Sequence, residues 1–155
     1  KIELLKRGAE RLGLTCMHPM QQDATDYRES WEKNGRGSND ILWLQSDLFK
    51  ELHSRFDVIV SNPPYIPAAV IETLMSEVRD FEPMEALDGK EDGLYFYRKI
   101  IGQCKQYLNP EGHLLFEIGY DQGQKVSALM REIGFHDVQV IKDLARKDRV
   151  VTGML

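Results

Sequence analysis

The chain has 155 residues, 42% of them hydrophobic and 29% charged, and a net charge of −5. That is enough to bury one core, and the acidic balance argues against an extended nucleic-acid surface, which would be basic. No apolar run approaches the roughly 20 residues that span a bilayer, no secretory signal pattern opens the chain, and Cys16 and Cys104 stand far apart without metal-ligand neighbours, so we expect reduced thiols, no metal site and a cytoplasmic protein.

The elements follow from apolar spacing. Ile2, Leu4, Leu5, Ala9 and Leu12 predict a helix closed by Gly13. The stretch from Thr15 to Asn39 is polar and is broken by His18-Pro19 and Gly35-Arg36-Gly37-Ser38. It reads as an irregular insertion; the alternatives are that Asp26 ends an acidic strand, or that this end of the chain has a separate origin. Strands are predicted at Ile41 to Leu44 and Phe56 to Val60. Helices follow at Val70 to Val78 and at Leu94 to Leu108, the second ended by Asn109-Pro110. Beyond them come a strand at Leu114 to Ile118, a helix at Gln124 to Ile133 stopped by Gly134, a strand at Val138 to Ile141, and Val150 to Met154, which closes an antiparallel hairpin with it. Alternating strands and helices mean α/β.

The most informative stretch is Phe56-Asp57-Val58-Ile59-Val60-Ser61-Asn62-Pro63-Pro64-Tyr65. A buried strand runs into two prolines, which lack N–H donors and cannot continue a ladder, so a rigid loop is held at the strand's carboxyl end, where open α/β sheets bind ligands. The Asn62 carbonyl and the Pro63 carbonyl are two acceptors that could hold one planar NH2 group, and Tyr65 offers a face for stacking. Ordinary turn chemistry is the competing reading, since Asn-Pro also marks turns.

Asn62-Pro63-Pro64-Tyr65 resembles the (N/D)PP(Y/F/W) signature of S-adenosylmethionine-dependent amino-group methyltransferases. Its neighbours narrow the likeness: Gln45-Ser46-Asp47-Leu48-Phe49, Phe81-Glu82-Pro83, Ala86-Leu87-Asp88-Gly89, Glu91-Asp92-Gly93-Leu94, Phe116 to Gly123 and Lys142 to Arg149. This ordered series, from Ile41 to Val151, is similar to the peptide-chain-release-factor glutamine methyltransferases.

The resemblance implies a Rossmann-like α/β domain with a mostly parallel sheet and an antiparallel C-terminal hairpin. We expect a single domain over 1–155, in which 1–40 is atypical or inserted and 41–151 is family-like core. It also implies methyl transfer from S-adenosylmethionine to the glutamine amide of a Gly-Gly-Gln loop in a release factor. Asn62, Pro63, Pro64 and Tyr65 would be catalytic. Asn62, Pro63, Tyr65 and Glu117 would hold the substrate; Asp47, Leu48 and Asn62 would contact the donor. At Asp47, capping of a strand–helix junction competes with a donor contact, and at Leu48 the family often has a larger aromatic. A nucleic-acid adenine methyltransferase is the second enzyme reading, and an inactive binding module or fragment the third.

The family's strand, glycine-rich turn and helix for the methyl donor have no counterpart here. Gly35-Arg36-Gly37 follows polar residues and precedes a strand, so it reads as a loop. The chain opens at Lys1 without methionine, and we expect a fragment or an altered copy of a longer protein, incomplete at its N-terminal side. The expected consequences are weak donor binding and an exposed sheet edge through which copies could associate.

Overall fold

In the computed structural model the described residues are Thr15–Cys16, Asp40–Ile41, 46–73 and 83–155. The chain divides into two compact units, Lys1–Leu52 and His53–Leu155. In the first, β1 (Thr15–Cys16) pairs in parallel with β2 (Asp40–Ile41). The expected Ile2 to Leu12 helix and Gly35-Arg36-Gly37 lie outside the described residues, as does most of the strand expected from Ile41.

The second unit contains β3 (Phe56–Ser61), α1 (Ala68–Ile71), α2 (Met84–Leu87), α3 (Tyr95–Cys104), β4 (Leu108–Glu117), α4 (Gly123–Glu132), β5 (His136–Lys142) and β6 (Asp148–Met154). The helices form where their apolar residues share a face. In α3, Tyr97, Ile100, Ile101 and Cys104 are buried, and in α4, Gly123, Val126, Ser127 and Met130 are, both at the spacing of one helical stripe. These stripes belong to a core with Leu108, Leu114, Phe116, Ile118 and Val151, in which the Tyr97 and Phe116 rings meet edge to face with centroids 5.1 Å apart. Burial also pushes the Cys104 thiol up to about 11, which keeps it protonated at neutral pH.

The strand order is β3-β4-β6-β5. β3 and β4 are parallel, whereas β6 is antiparallel to both β4 and β5. The expectation of a mostly parallel sheet is therefore wrong for this unit, where one pairing is parallel and the other two are antiparallel. The reason is the position of the last strand. The short turn after β5 sends β6 back in the opposite direction, and β6 inserts between β4 and β5 instead of lying outside β5. β4 and β5 run the same way but never touch as neighbours.

Two helix boundaries also differ. The helix expected over Leu94 to Leu108 stops at Cys104, and Leu108 already pairs with Phe56. The ladder then slips, since the next pair is Val58 with His113, and residues 109–112 stand out of it. Pro110 sits in this bulge, where its missing N–H costs no ladder bond, and the Asn109 amide donates to the Asp57 carboxylate at 2.7 Å. Of the helix expected from Val70 to Val78, the described part is α1 followed by a turn at Glu72 and Thr73.

Among the described residues of this unit β3 is an edge strand, with Val58 52% and Val60 73% exposed. No helix among the described residues is long and apolar enough to cross a membrane.

Candidate active site

β3 ends at Ser61, and the two prolines carry the chain off the sheet. Asn62 is exposed, Pro63 is buried, and Pro64 and Tyr65 are half-buried. The register Ser61↔Phe116 sets Asn62 and Glu117 at the next positions of neighbouring strands. The motif loop and Glu117 therefore share the carboxyl end of the one parallel pair in this sheet, the place where such pairs offer a ligand crevice.

The loop is held from below by the segment after α2. Ile66 N–H donates to the Leu87 carbonyl at 3.1 Å, Gly89 N–H donates to the Ile66 carbonyl at 2.8 Å, and Ala68 N–H donates to the Lys90 carbonyl at 2.9 Å. Glycine is required at both close approaches. A Cβ on Gly89 would lie 2.7 Å from the Tyr65 carbonyl carbon, and one on Gly93, whose φ is +72°, would overlap the Tyr65 carbonyl oxygen. Asp88 helps shape the turn by accepting from Lys90 N–H and Nζ, each at 2.8 Å; these bonds hold its carboxyl below the usual range.

Behind the loop lies Gln122, only 5% exposed. Its Nε2 donates to the Tyr65 carbonyl at 2.9 Å and to the Gly93 carbonyl at 3.3 Å, while its Oε1 accepts from Gly119 N–H at 3.0 Å. The Tyr97 hydroxyl stands 3.4 Å from the same oxygen and donates to the Glu117 backbone carbonyl at 2.9 Å. Burial first, then the neighbouring Tyr65 and Glu117, push the Tyr97 phenol up, so it acts as a neutral donor.

The Glu117 side chain is 39% exposed and lies 3.8 Å from the Arg149 guanidinium, which Asp143 also holds at 3.2 Å. The Asp143 hydrogen bond is the main reason that Arg149 is raised, with Tyr65 and Glu117 contributing through charge. This places a fixed cation beside the half-exposed carboxylate and near the motif tyrosine.

Of the residues singled out in the sequence, the structure brings together Asn62, Pro63, Pro64, Tyr65 and Glu117. Asp47 and Leu48 belong to the other unit. There the exposed Asp47 carboxylate pairs with Lys50 at 3.2 Å and Leu48 has φ +54°. Phe81 and Glu82 lie outside the described residues. Sequence reasoning quoted Gly89, Gly93 and Gln122 only as parts of longer motifs. The paired glycines were a usable signal of close backbone approach, whereas a single glutamine in a polar stretch gives no hint of burial.

Part of this chain matches curated proteins well. It is 57% identical over 111 residues to the release factor glutamine methyltransferase of Clostridium botulinum, a match covering 70% of this chain and 39% of that protein. The chain is homologous to the release factor glutamine methyltransferase family. The Geobacter sulfurreducens member is 47% identical over 116 residues, covering 74% of this chain and 41% of that protein. The Francisella tularensis member is 37% identical over 127 residues, covering 80% and 44%. The chain thus spans about two fifths of the length of the release factor glutamine methyltransferases it matches. No protein-family model matches it. Among solved structures, the release-factor-specific protein-(glutamine-N5) methyltransferase of Alicyclobacillus acidocaldarius is 28% identical with a TM-score of 0.41, covering 64% of this chain and 48% of that one.

The described residues do not by themselves make a site for a nucleoside-bearing methyl donor. No glycine-rich strand-to-helix turn occurs among them, and the Asp47 carboxylate that would take an adenine amine is paired with Lys50. A groove of 430 Å³ is lined by Arg98, Ile101, Leu129, Glu132 and Ile133, none of them a site residue. What these residues do bring together is the Asn62-Pro63-Pro64-Tyr65 loop and Glu117 at one strand end.

Proposed function

We propose that this chain carries the substrate-amide side of a protein-glutamine N-methyltransferase that uses S-adenosylmethionine and acts on the Gly-Gly-Gln loop of peptide chain release factors in the cytoplasm. The observation that carries the reading is the placement of Asn62-Pro63-Pro64-Tyr65 and Glu117 at one strand end, within a segment homologous to release factor glutamine methyltransferases.

In this reading the Asn62 side-chain carbonyl and the Pro63 backbone carbonyl accept the two N–H bonds of the substrate amide. The amide plane is thereby fixed and the nitrogen presents one face. Tyr65 stacks on the amide, and Glu117 takes a donor from the substrate backbone. A held amide needs orientation more than a base, and alignment of reactants can lower a barrier by roughly 7 to 11 kcal/mol in favourable systems. Self-association through the exposed β3 edge belongs to the same proposal; a monomer at every concentration in sedimentation would exclude it.

Titration of the chain with a release factor, and with the same factor carrying alanine for the loop glutamine, tests the amide-holding role. Two accepted hydrogen bonds should favour the glutamine form by about tenfold or more, equivalent to about 1.4 kcal/mol. Equal affinity for the two forms would refute the reading. Methyl transfer is followed separately by mass spectrometry after addition of S-adenosylmethionine, for which we expect a dissociation constant on the order of a millimolar.

A further inference from the structure

The amide of Gln122 has all its hydrogen-bonding groups in use, and they join four different parts of the unit. Both Nε2 hydrogens go to carbonyls, one in the motif loop and one in the glycine segment beneath it. The oxygen accepts from Gly119 N–H in the turn after β4 and lies 3.4 Å from the Tyr97 hydroxyl oxygen of α3. An apolar side chain could fill this space but could not satisfy the Tyr65 and Gly93 carbonyls. We propose that Gln122 is a positioning residue, a buried amide that sets the orientation of the Asn62-Pro63-Pro64-Tyr65 loop relative to Glu117. Its bond to the Tyr65 carbonyl and the bond from Ile66 N–H to Leu87 together fix the peptide plane between Tyr65 and Ile66, while the Gly89 bond fixes the next one. The loop then has one tilt, and the acceptors of Asn62 and Pro63 converge. The role rests on reading that loop as the amide-holding site.

The test uses the full chain and amide hydrogen exchange at Ile66 and Gly89, each compared with the amides of the β4–β6 ladder. Gln122→Leu should speed exchange at Ile66 and Gly89 by about tenfold or more while the ladder stays at its parental rate. Gln122→Glu supplies a readout that simple packing would not move. A neutral carboxyl can donate its O–H to the Tyr65 carbonyl, whereas a carboxylate would face carbonyl oxygens that repel it. Loop protection relative to the ladder should therefore be near parental at about pH 5 and lost towards about pH 8, with no such change in the parent chain. The titratable groups around this position are Tyr65, Tyr97, Glu117 of β4, Asp121 of the turn, Asp148 beside Gly123, and Arg149 of β6. The carboxylates among them raise the introduced acid further, and Arg149 opposes them.

Unchanged loop exchange in Gln122→Leu, or loop and ladder rising together, would overturn the proposal. So would a Gln122→Glu chain without the pH response, which decides the matter if the leucine variant does not fold. Discrimination between the glutamine and alanine forms of the release factor is scored apart from these measurements. A parent chain that binds the two forms equally, yet shows both loop effects, would refute the proposed function and support the role of Gln122.

Discussion

The backbone of Gly93 is pressed against the carbonyl of Tyr65, so closely that a β-carbon at position 93 would overlap the carbonyl oxygen. The contact ties a glycine ahead of α3 to the last residue of the motif loop, across 28 positions of sequence. It also holds Gly93 at φ +72°, a conformation costly for other residues.

Gly93→Ala should therefore destabilise the protein by about 2 to 3 kcal/mol, combining backbone strain with displacement of the loop. Gly102 provides the contrast. It lies on the exposed face of α3 with nothing within 4 Å of its would-be Cβ, so Gly102→Ala should stabilise by about 0.5 to 1 kcal/mol. Urea unfolding of the two variants beside the parent measures both effects.

Asn62 is exposed at the end of β3, and no hydrogen bond ties its side chain to another described residue. Asn62→Ala should leave the unfolding midpoint unchanged while removing most discrimination for glutamine in the loop-binding titration. In a full-length homologous enzyme it should lower transfer by the equivalent of about 2 to 4 kcal/mol. Turnover within threefold of the parent would remove Asn62 from the mechanism.

For Tyr65 the face of the ring is expected to matter and the hydroxyl is not. Tyr65→Phe should keep most of the glutamine preference, and Tyr65→Ala should lose most of it. The Gln122 bond goes to the Tyr65 backbone carbonyl and is retained in both variants. If phenylalanine were as damaging as alanine, the hydroxyl would have to be part of the site.

Asp92 predicts an acid-sensitive step. Two hydrogen bonds of 2.9 Å from Arg98, then the Leu94 N–H at 3.0 Å, hold its carboxyl down at about 2. A carboxylate with a lowered value stabilises the fold at pH above its unfolded value near 3.9, and this contribution fades as pH falls through about 2. The pair is half exposed, so solvent screening limits it to at most about 1 kcal/mol. Unfolding of Asp92→Asn and parent should differ at neutral pH and converge near pH 2. A constant difference across that range would assign the effect to something other than the charge.

Local chemistry carried much of the reading. Strand β3, its stop at two prolines, the stripes of α3 and α4 and the reversal at the last hairpin all follow from apolar spacing and from residues that cannot continue an element. The motif itself is legible because Asn62, Pro63 and Tyr65 are neighbours in the chain and their groups suggest amide binding without any fold. Where sequence reasoning failed, the deciding contacts were distant ones. Pro110 looked like a helix stop because proline ends helices, yet pairing of Leu108 with Phe56 had already opened a strand and moved the proline into a bulge. The hairpin specified the direction of β6 and said nothing about the neighbour on its other side, so its place between β4 and β5 came only from the fold. Gln122 looked like one polar residue among several, since a glutamine exposed to water and one buried under four hydrogen-bonding groups are written with the same letter. Its partners come from Tyr65, Gly93, Tyr97 and Gly119, and only packing of the loop, α3 and the turn after β4 gathers those groups around one amide.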